Sequence, residues 1–417
     1  MSKTMRIVAG LDIGNGYVKG VGGRPGAAKN ELMSIDMPSV VSYTTGANMI
    51  PKEPSDAYIA NLANELDVSV STNAIPAKDG MRMFFGQRAI RSGEALYEFN
   101  IADAGVPKCE ESLSTILVLG TVATLAVRAY WAKHHELPGD LDVEACVGIT
   151  LPIEDFMKFR DVYPTTLKGD SHMVTIYNFE HAIHVRVAFA DVTAVAEGAA
   201  AQYAITELGP KFLQNALDIA RAQGAKIDPG YTGEVLASVE NTIGVDVGEG
   251  TVNFPVYSDG VVNIEASRSI NRGYGTVLTR VVGDVRNDPS LSFKSRKDLA
   301  DFMLDTSQTP SKRVRREKLQ HYIDDAVNVF VREVMSEFSN IFSKVGTRTD
   351  AVYVYGGGAN GVRDALYPEL VNKVTYDGDQ SIPVIYLDSS YSRNLNREGL
   401  FRVAQVKAGN VWAEPRK

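Results

Sequence analysis

The chain has 417 residues, 44% of them hydrophobic and 23% charged, the composition of a folded protein long enough for two or more ordinary domains. A formal charge of −8 excludes a chain that wraps nucleic acid by itself, because that contact needs clustered Lys and Arg. Two cysteines, Cys109 and Cys146, give neither a disulfide framework nor a metal site and read as buried thiols.

The opening MSKTMR carries no apolar signal core, so a cytoplasmic location is expected. Residues 6–12 form an apolar strand, Gly14-Asn15-Gly16 a tight turn, and residues 17–21 a returning strand, which together predict a hairpin. A strand is expected over 37–43 and a short aromatic one over 82–86, in a loop-rich region that holds Pro51 and Pro54. Residues 113–133 read as a long helix. Its most apolar run, 116–129, is shorter than the roughly 20 residues that span a bilayer and predicts a buried helix instead. A buried strand over 145–150 follows, then paired strands over 174–177 and 184–189, and a helix over 192–205 with small residues after Glu197.

The stretch 225–241, with Pro229, Gly230 and Gly233, reads as a connection. The opening pattern then recurs: an apolar strand over 243–246, the turn Gly248-Glu249-Gly250, and Val252, Phe254 and Val256 alternating along a return strand to Ser258-Asp259-Gly260. From Leu319 apolar residues recur at three- and four-residue steps as far as Val345, which predicts a long amphipathic helix. A strand over 351–355 runs into Gly356-Gly357-Gly358, and another covers 384–387.

The chemistry concentrates in three glycine clusters. Leu11-Asp12-Ile13-Gly14-Asn15-Gly16-Tyr17-Val18-Lys19 and Val245-Asp246-Val247-Gly248-Glu249-Gly250-Thr251 each set a carboxylate at a strand end beside a glycine turn. Glycines let backbone N–H groups approach phosphate oxygens with no Cβ in the way. An aspartate there suits hydrated Mg²⁺, which takes few direct protein ligands. One such cluster alone is an ordinary turn; two in equivalent settings suggest paired similar domains. The third, Gly356-Gly357-Gly358-Ala359-Asn360, follows a buried strand and either lays backbone against a nucleoside or simply turns into a helix.

Taken in order, these clusters resemble the phosphate-1, phosphate-2 and adenosine motifs of the actin, Hsp70 and sugar-kinase superfamily. Gly14-Asn15-Gly16-Tyr17-Val18-Lys19-Gly20, Met37-Pro38-Ser39 and Asn394-Leu395-Asn396-Arg397-Glu398-Gly399-Leu400-Phe401 look like the bacterial and archaeal actin-like proteins of the ParM (StbA) type. The resemblance implies an α/β, actin-like (ribonuclease H-like) two-domain ATPase fold with nucleotide in the interdomain cleft. One domain is expected over 1–192 and 393–417, the other over 193–392. It implies that Asp12 positions Mg²⁺, that Gly14, Asn15 and Gly16 surround the β- and γ-phosphates, and that Asp246 holds metal or the lytic water. Gly248, Glu249, Gly250 and Thr251 would line the opposite side, and Gly356, Gly357, Gly358 and Asn360 the nucleoside. Lys19 either joins the phosphates or, by outward alternation, is a surface lysine.

The family sets a water-orienting Glu or Gln at the start of the helix after the connecting strands. Glu197 matches, without the customary neighbouring proline; a shifted register would put Ala194 there, and an exposed helix-start glutamate is the alternative. The implied protein is a cytoplasmic filament former that hydrolyses ATP or GTP with Mg²⁺, stacks on itself head to tail, and segregates plasmid DNA through a DNA-binding adaptor, without direct nucleic-acid contact. A soluble small-molecule kinase of the same superfold is the competing reading. The terminal run 411–416 is too short, and too broken by Pro415, for a membrane helix. The basic run 312–318 is either a solvated face or a partner site.

Overall fold

The structure is a computed structural model and describes residues 4–45, 50–75, 80–100, 106–169, 171–293, 295–305, 307, 309–377, 380–387 and 392–413. Residues 414–416 of the terminal run, and Lys417 after them, lie outside these. Contacts divide the chain into one unit of Met1–Ala204 with Asn394–Lys417 and a second of Ile205–Arg393.

In the first unit the strands are β1 (Met5–Ile13), β2 (Tyr17–Gly23), β3 (Met33–Pro38), β4 (Val40–Tyr43), β5 (Asp67–Ser71), β6 (Arg82–Phe85), β7 (Leu96–Glu98), β8 (Asp140–Leu151), β9 (Ser171–Ile176) and β10 (Ile183–Ala196). They form one sheet in the order β3-β2-β1-β8-β10-β9-β5-β6-β4-β7. The pairs β1/β8 and β8/β10 are parallel and the rest antiparallel.

The pleat sorts the side chains of these strands by period two. On one face Ile7, Ala9, Leu11, Val143, Ala145, Val147 and Ile149 pack with the helix Ser112–His134. That helix is long and apolar enough to cross a membrane by length and composition, yet 89% of its apolar window is buried inside this unit. It is apolar all round because it is covered all round.

On the opposite face Val8, Val21 and Cys146 pack with Phe401, Ala404 and Ala408 of the helix Leu395–Val411. Glycine permits this close approach. A Cβ on Gly10 would stand 2.3 Å from the Arg397 carbonyl oxygen, and one on Gly148 2.4 Å from that of Leu400. The even-numbered residues at the strand ends, Asp12 and Thr150, share this second face by the same alternation.

The second unit repeats the plan. β11 (Thr242–Val247) pairs antiparallel with β12 (Val252–Phe254) and β13 (Val256–Ser258), and parallel with a strand at Ala351–Tyr355, which in turn runs parallel to Val384–Tyr386. Ile243, Val245, Val247, Val352 and Val354 form a core with the helices Tyr274–Asp284, Pro310–Val345 and Ala359–Lys373. In the 36-residue helix the buried positions Ile323, Ala326, Phe330, Val334, Phe338 and Ile341 keep the predicted three- and four-residue steps.

Several elements differ from the sequence reading. The helix expected from Val192 begins at Ala199, because β10 stays paired with β8 as far as Ala196. Long-range sheet pairing overrides the helix propensity of an alanine-rich run here. The strand expected over 37–43 is broken at Ser39 into β3 and β4, and the return strand of the second hairpin is broken at Pro255, which lacks a ladder N–H. The connection over 225–241 contains a short helix, Gly233–Ser238, capped by the Thr232 hydroxyl.

The basic run is engaged within its own unit. Lys312 pairs with Asp305 and donates to the Ser307 hydroxyl at 2.8 Å, Arg316 donates to the Ser307 carbonyl at 2.9 Å, and Lys318 pairs with Asp288.

Candidate functional site

The first hairpin turns between Asp12 and Lys19, which are register partners across β1 and β2. The Gly14 amide donates to the Tyr17 carbonyl at 3.0 Å, closing the turn. A Cβ on Gly14 would stand 2.7 Å from that same oxygen, so the residue must be small. Ser39 braces the tip from the break between β3 and β4: its hydroxyl donates to the Gly14 carbonyl at 2.6 Å and its amide to the Gly16 carbonyl at 2.9 Å. Asn15 and Gly16 thus stand half-exposed at a tip held from behind.

Asp12 is only 6% exposed. The Thr150 hydroxyl, at the end of β8, donates to its Oδ1 at 3.2 Å, and Lys19 Nζ lies 3.8 Å from its Oδ2, an ion pair rather than a hydrogen bond. Lys19 points inward, with 15% of its side chain exposed, and is not a plain surface lysine. Burial pushes the Asp12 carboxyl above its ordinary range; Lys19 pulls it back down and Glu197 pushes it up further.

Glu197 follows the last residue of β10. Its amide still donates to the Leu151 carbonyl at 2.7 Å, so the sheet places it, and Gly198 with φ +79° turns the chain into the next helix. Its side chain is buried, which removes the exposed helix-start alternative, and its Oε1 accepts from Lys108 Nζ at 3.1 Å. Lys108 lies in a short 3-10 turn ahead of the Ser112–His134 helix, and its backbone amide donates to Asp155 at 3.0 Å.

The second hairpin closes in the same way, with the Gly248 amide donating to the Thr251 carbonyl at 2.9 Å. Asp246 is 5% exposed at the end of β11 and faces Asn253 across the ladder. Asn253 donates to the Thr251 hydroxyl at 3.2 Å and accepts from the Ser269 hydroxyl at 2.6 Å. The start of the helix Tyr274–Asp284 supports this turn: the Tyr274 amide donates to the Gly248 carbonyl at 2.9 Å and the Gly275 amide to the Glu249 carbonyl at 2.8 Å. Glu249 extends its carboxylate to Arg296 at 2.9 Å. Gly250 and Thr251 are buried at the turn.

The third cluster lies against the second turn. Gly356 has φ +101°, and a Cβ there would stand 2.5 Å from Asp246 Oδ1. Gly358 backs onto Tyr274, while Gly357 and Asn360 are exposed. The fully buried Tyr355 hydroxyl is pushed well above its ordinary range, first by burial and then by Asp246. The second unit thus brings Asp246, Gly248, Glu249 and Gly356 together in one place, and the first does so for Asp12, Gly14, Lys19 and Glu197.

Sequence reasoning missed Lys108, Thr150, Ser39 and Tyr274. Thr150 ends a recognisable strand and Ser39 stands in the quoted Met37-Pro38-Ser39, so both left a signal; Lys108 and Tyr274 left none. Among the described residues no three His, Cys, Asp or Glu side chains gather to hold a metal ion by themselves. Each aspartate instead lies beside a turn that a Cβ would fill, a donor set that suits an ion held mainly by water and phosphate.

Two units that each hang a hairpin, a buried aspartate and a glycine turn on a mixed sheet define the actin-like fold. The N-terminal domain model of the actin-like proteins matches residues 10–199, and the C-terminal model of the archaeal MreB-like actin homologue matches residues 244–367. The chain therefore carries an actin-like N-terminal domain and a MreB-like C-terminal domain on an actin-like fold.

Solved structures agree on the fold. A 15-stranded ParM filament from Clostridium botulinum is 14% identical with a TM-score of 0.61, over 97% of this chain and 99% of that one. Bacillus thuringiensis ParM with ATP is 15% identical with a TM-score of 0.55, over 97% and 99%. An archaeal actin homologue is 14% identical with a TM-score of 0.57, over 96% and 99%. No curated protein matches the sequence.

Proposed function

We propose that this actin-like protein binds and hydrolyses ATP or GTP and assembles head to tail into filaments. The observation that carries the reading is the repeated device of Asp12 with Gly14 and Asp246 with Gly248. Each buried carboxylate stands at a strand end against a turn closed by the same amide-to-carbonyl bond. Strand ends beside glycine turns are where phosphate is bound in α/β folds.

In this reading both turns bind phosphate. The backbone of Gly14, Asn15 and Gly16 and of Gly248, Gly250 and Thr251 approaches phosphate oxygens, with Lys19 adding positive charge. Gly356, Gly357, Gly358 and Asn360 take the nucleoside. Asp12 and Asp246 would hold Mg²⁺ through its waters, and when bound that ion supplies neutralisation of phosphate charge. Glu197 orients the attacking water; positioning and charge stabilisation dominate phosphoryl transfer, so a carboxylate fixed by its surroundings suffices.

Head-to-tail contacts of one surface on another generate open filaments, and the ParM filament among the structural neighbours supports that assignment. With a net charge of −8, attachment to plasmid DNA through a basic adaptor is the coherent form of a segregation role, in the cytoplasm. The test is light scattering with pelleting of the purified protein and Mg²⁺ plus ATP, GTP, ADP or no nucleotide. Scattering that rises with a triphosphate and decays as it is consumed is expected. Hydrolysis without polymer, together with turnover of a sugar or carboxylate, would move the protein to the small-molecule kinases.

A further inference from the structure

The first unit buries an ion pair beyond the Asp12–Lys19 pair at its own turn. Lys108 is 7% exposed and Glu197 7%, and their charged ends meet at 3.1 Å. Isolated, either charge would be costly to take out of water, and an apolar pair would fill the same space more cheaply. Lys108 makes two further contacts: its backbone amide donates to Asp155, on the first turn of the helix Ile153–Phe159, and its ammonium lies 5.5 Å from the centre of the Phe99 ring.

These contacts tie together two strand exits. β8 ends at Leu151 and leads to Asp155; β10 ends at Ala196 and leads to Glu197. Ligands of open α/β sheets bind outside the carboxyl ends of such strands. Asp12, at the end of the neighbouring β1, feels both Lys108 and Glu197 electrostatically, so all of these groups share one field.

We propose that Lys108 is a positioning residue for the hydrolytic step: it holds one carboxylate oxygen of Glu197 and anchors the loops after β8 and β10, thereby aiming Glu197 at the attacking water. This rests on the proposed hydrolytic function. Lys108 itself touches neither water nor phosphate in this role. Its part is to hold Glu197 in place beside Asp12 and Asp155, whose like charges would otherwise push the carboxylate away.

The test uses the full chain with Lys108→Met, Lys108→Arg, Glu197→Gln and the Lys108→Met/Glu197→Gln double variant. It reads single-turnover hydrolysis, affinity for a fluorescent nucleotide and thermal unfolding. Lys108→Met is expected to slow hydrolysis about 10²-fold, the size of effect a displaced positioning group produces, with affinity held within about twofold. Lys108→Arg should recover most of the rate. The double variant should be no slower than the slower single, and Glu197→Gln should offset part of the unfolding loss of Lys108→Met, because the stranded charge is gone.

Lys108→Met hydrolysing at the wild-type rate, or rate losses that multiply in the double variant, would overturn the inference and leave the hydrolytic function standing. Wild-type protein that binds but never hydrolyses nucleotide would instead remove the function and this role with it. If Lys108→Met does not fold, Lys108→Gln, which keeps a donor toward Glu197 without the charge, carries the same comparison.

Discussion

The two hairpins share a turn and differ in everything that surrounds it. Gly14 donates to Tyr17 and Gly248 to Thr251 at nearly the same distance, and each turn follows an aspartate buried to a similar degree. Opposite Asp12, however, stands Lys19, with Thr150 beside it and Glu197 and Lys108 near enough to shift its ionisation. Opposite Asp246 stands Asn253, tied to Thr251 and Ser269, with the buried Tyr355 nearby. The braces differ too: a serine from a broken strand supports the first tip, and a helix start supports the second. A repeated local geometry has thus been set with a lysine opposite its aspartate once and with an asparagine opposite it once.

That contrast makes graded predictions. The largest effect should come from Asp12→Asn and Asp246→Asn: hydrolysis under saturating nucleotide falls roughly 10²–10³-fold in each, and Asp12→Asn also loses its response to substitution of Lys19. Hydrolysis at the wild-type rate in either variant would break the claim that both turns serve the chemistry.

Next is Gly273→Ala, where the added Cβ would stand 2.4 Å from the Glu249 backbone and force the helix start away from the second turn. Chemical denaturation should show a loss of about 1–3 kcal/mol, the usual cost of overpacking. Ser39→Ala removes the hydroxyl bond to Gly14 at the first turn and should cost about 1 kcal/mol with a modest rise in KM. An unchanged KM would mean that the first turn needs no brace.

The smallest effect is a pH dependence. Burial raises the Asp12 carboxyl above the ordinary 3.8 and Lys19 opposes it. Because the folded state holds the proton to higher pH than the unfolded state, this group costs stability as pH rises through the window above 3.8, and costs nothing below it. Lys19→Met should therefore match the parent near the bottom of that window and fall progressively behind toward neutral pH, in metal-free thermal melts. The second hairpin has no such lysine: Asn253→Ala should give a gap with the parent that does not change with pH in the same window, and a gap that tracked pH there would blur the distinction.

Much of the fold was legible because it is written in local pattern. Apolar runs ahead of glycine turns gave β1 and β11, three- and four-residue steps gave most of the helix Pro310–Val345, and an all-round apolar run gave the buried helix Ser112–His134. The same local logic failed over 192–196, where the sequence suggested a helix and pairing with β8 imposed a strand. For the candidate site, Asp12, Gly14, Asp246, Gly248 and Gly356 were legible because glycine beside a strand-end carboxylate is a chemical signature. Lys108 was not, since nothing near it in the chain marks its partner Glu197, 89 residues on.

By itself, then, the sequence determined which residues can turn tightly and which carry charge at strand ends, because those properties belong to a residue and its immediate neighbours. Tertiary structure alone decided that Lys19 points inward, that Glu197 is buried against Lys108, and that Tyr274 and Ser39 support the turns. Burial, ion pairing and the shift of a carboxyl's ionisation are properties of what the chain brings alongside, and distant segments meet only once the sheet has set their order.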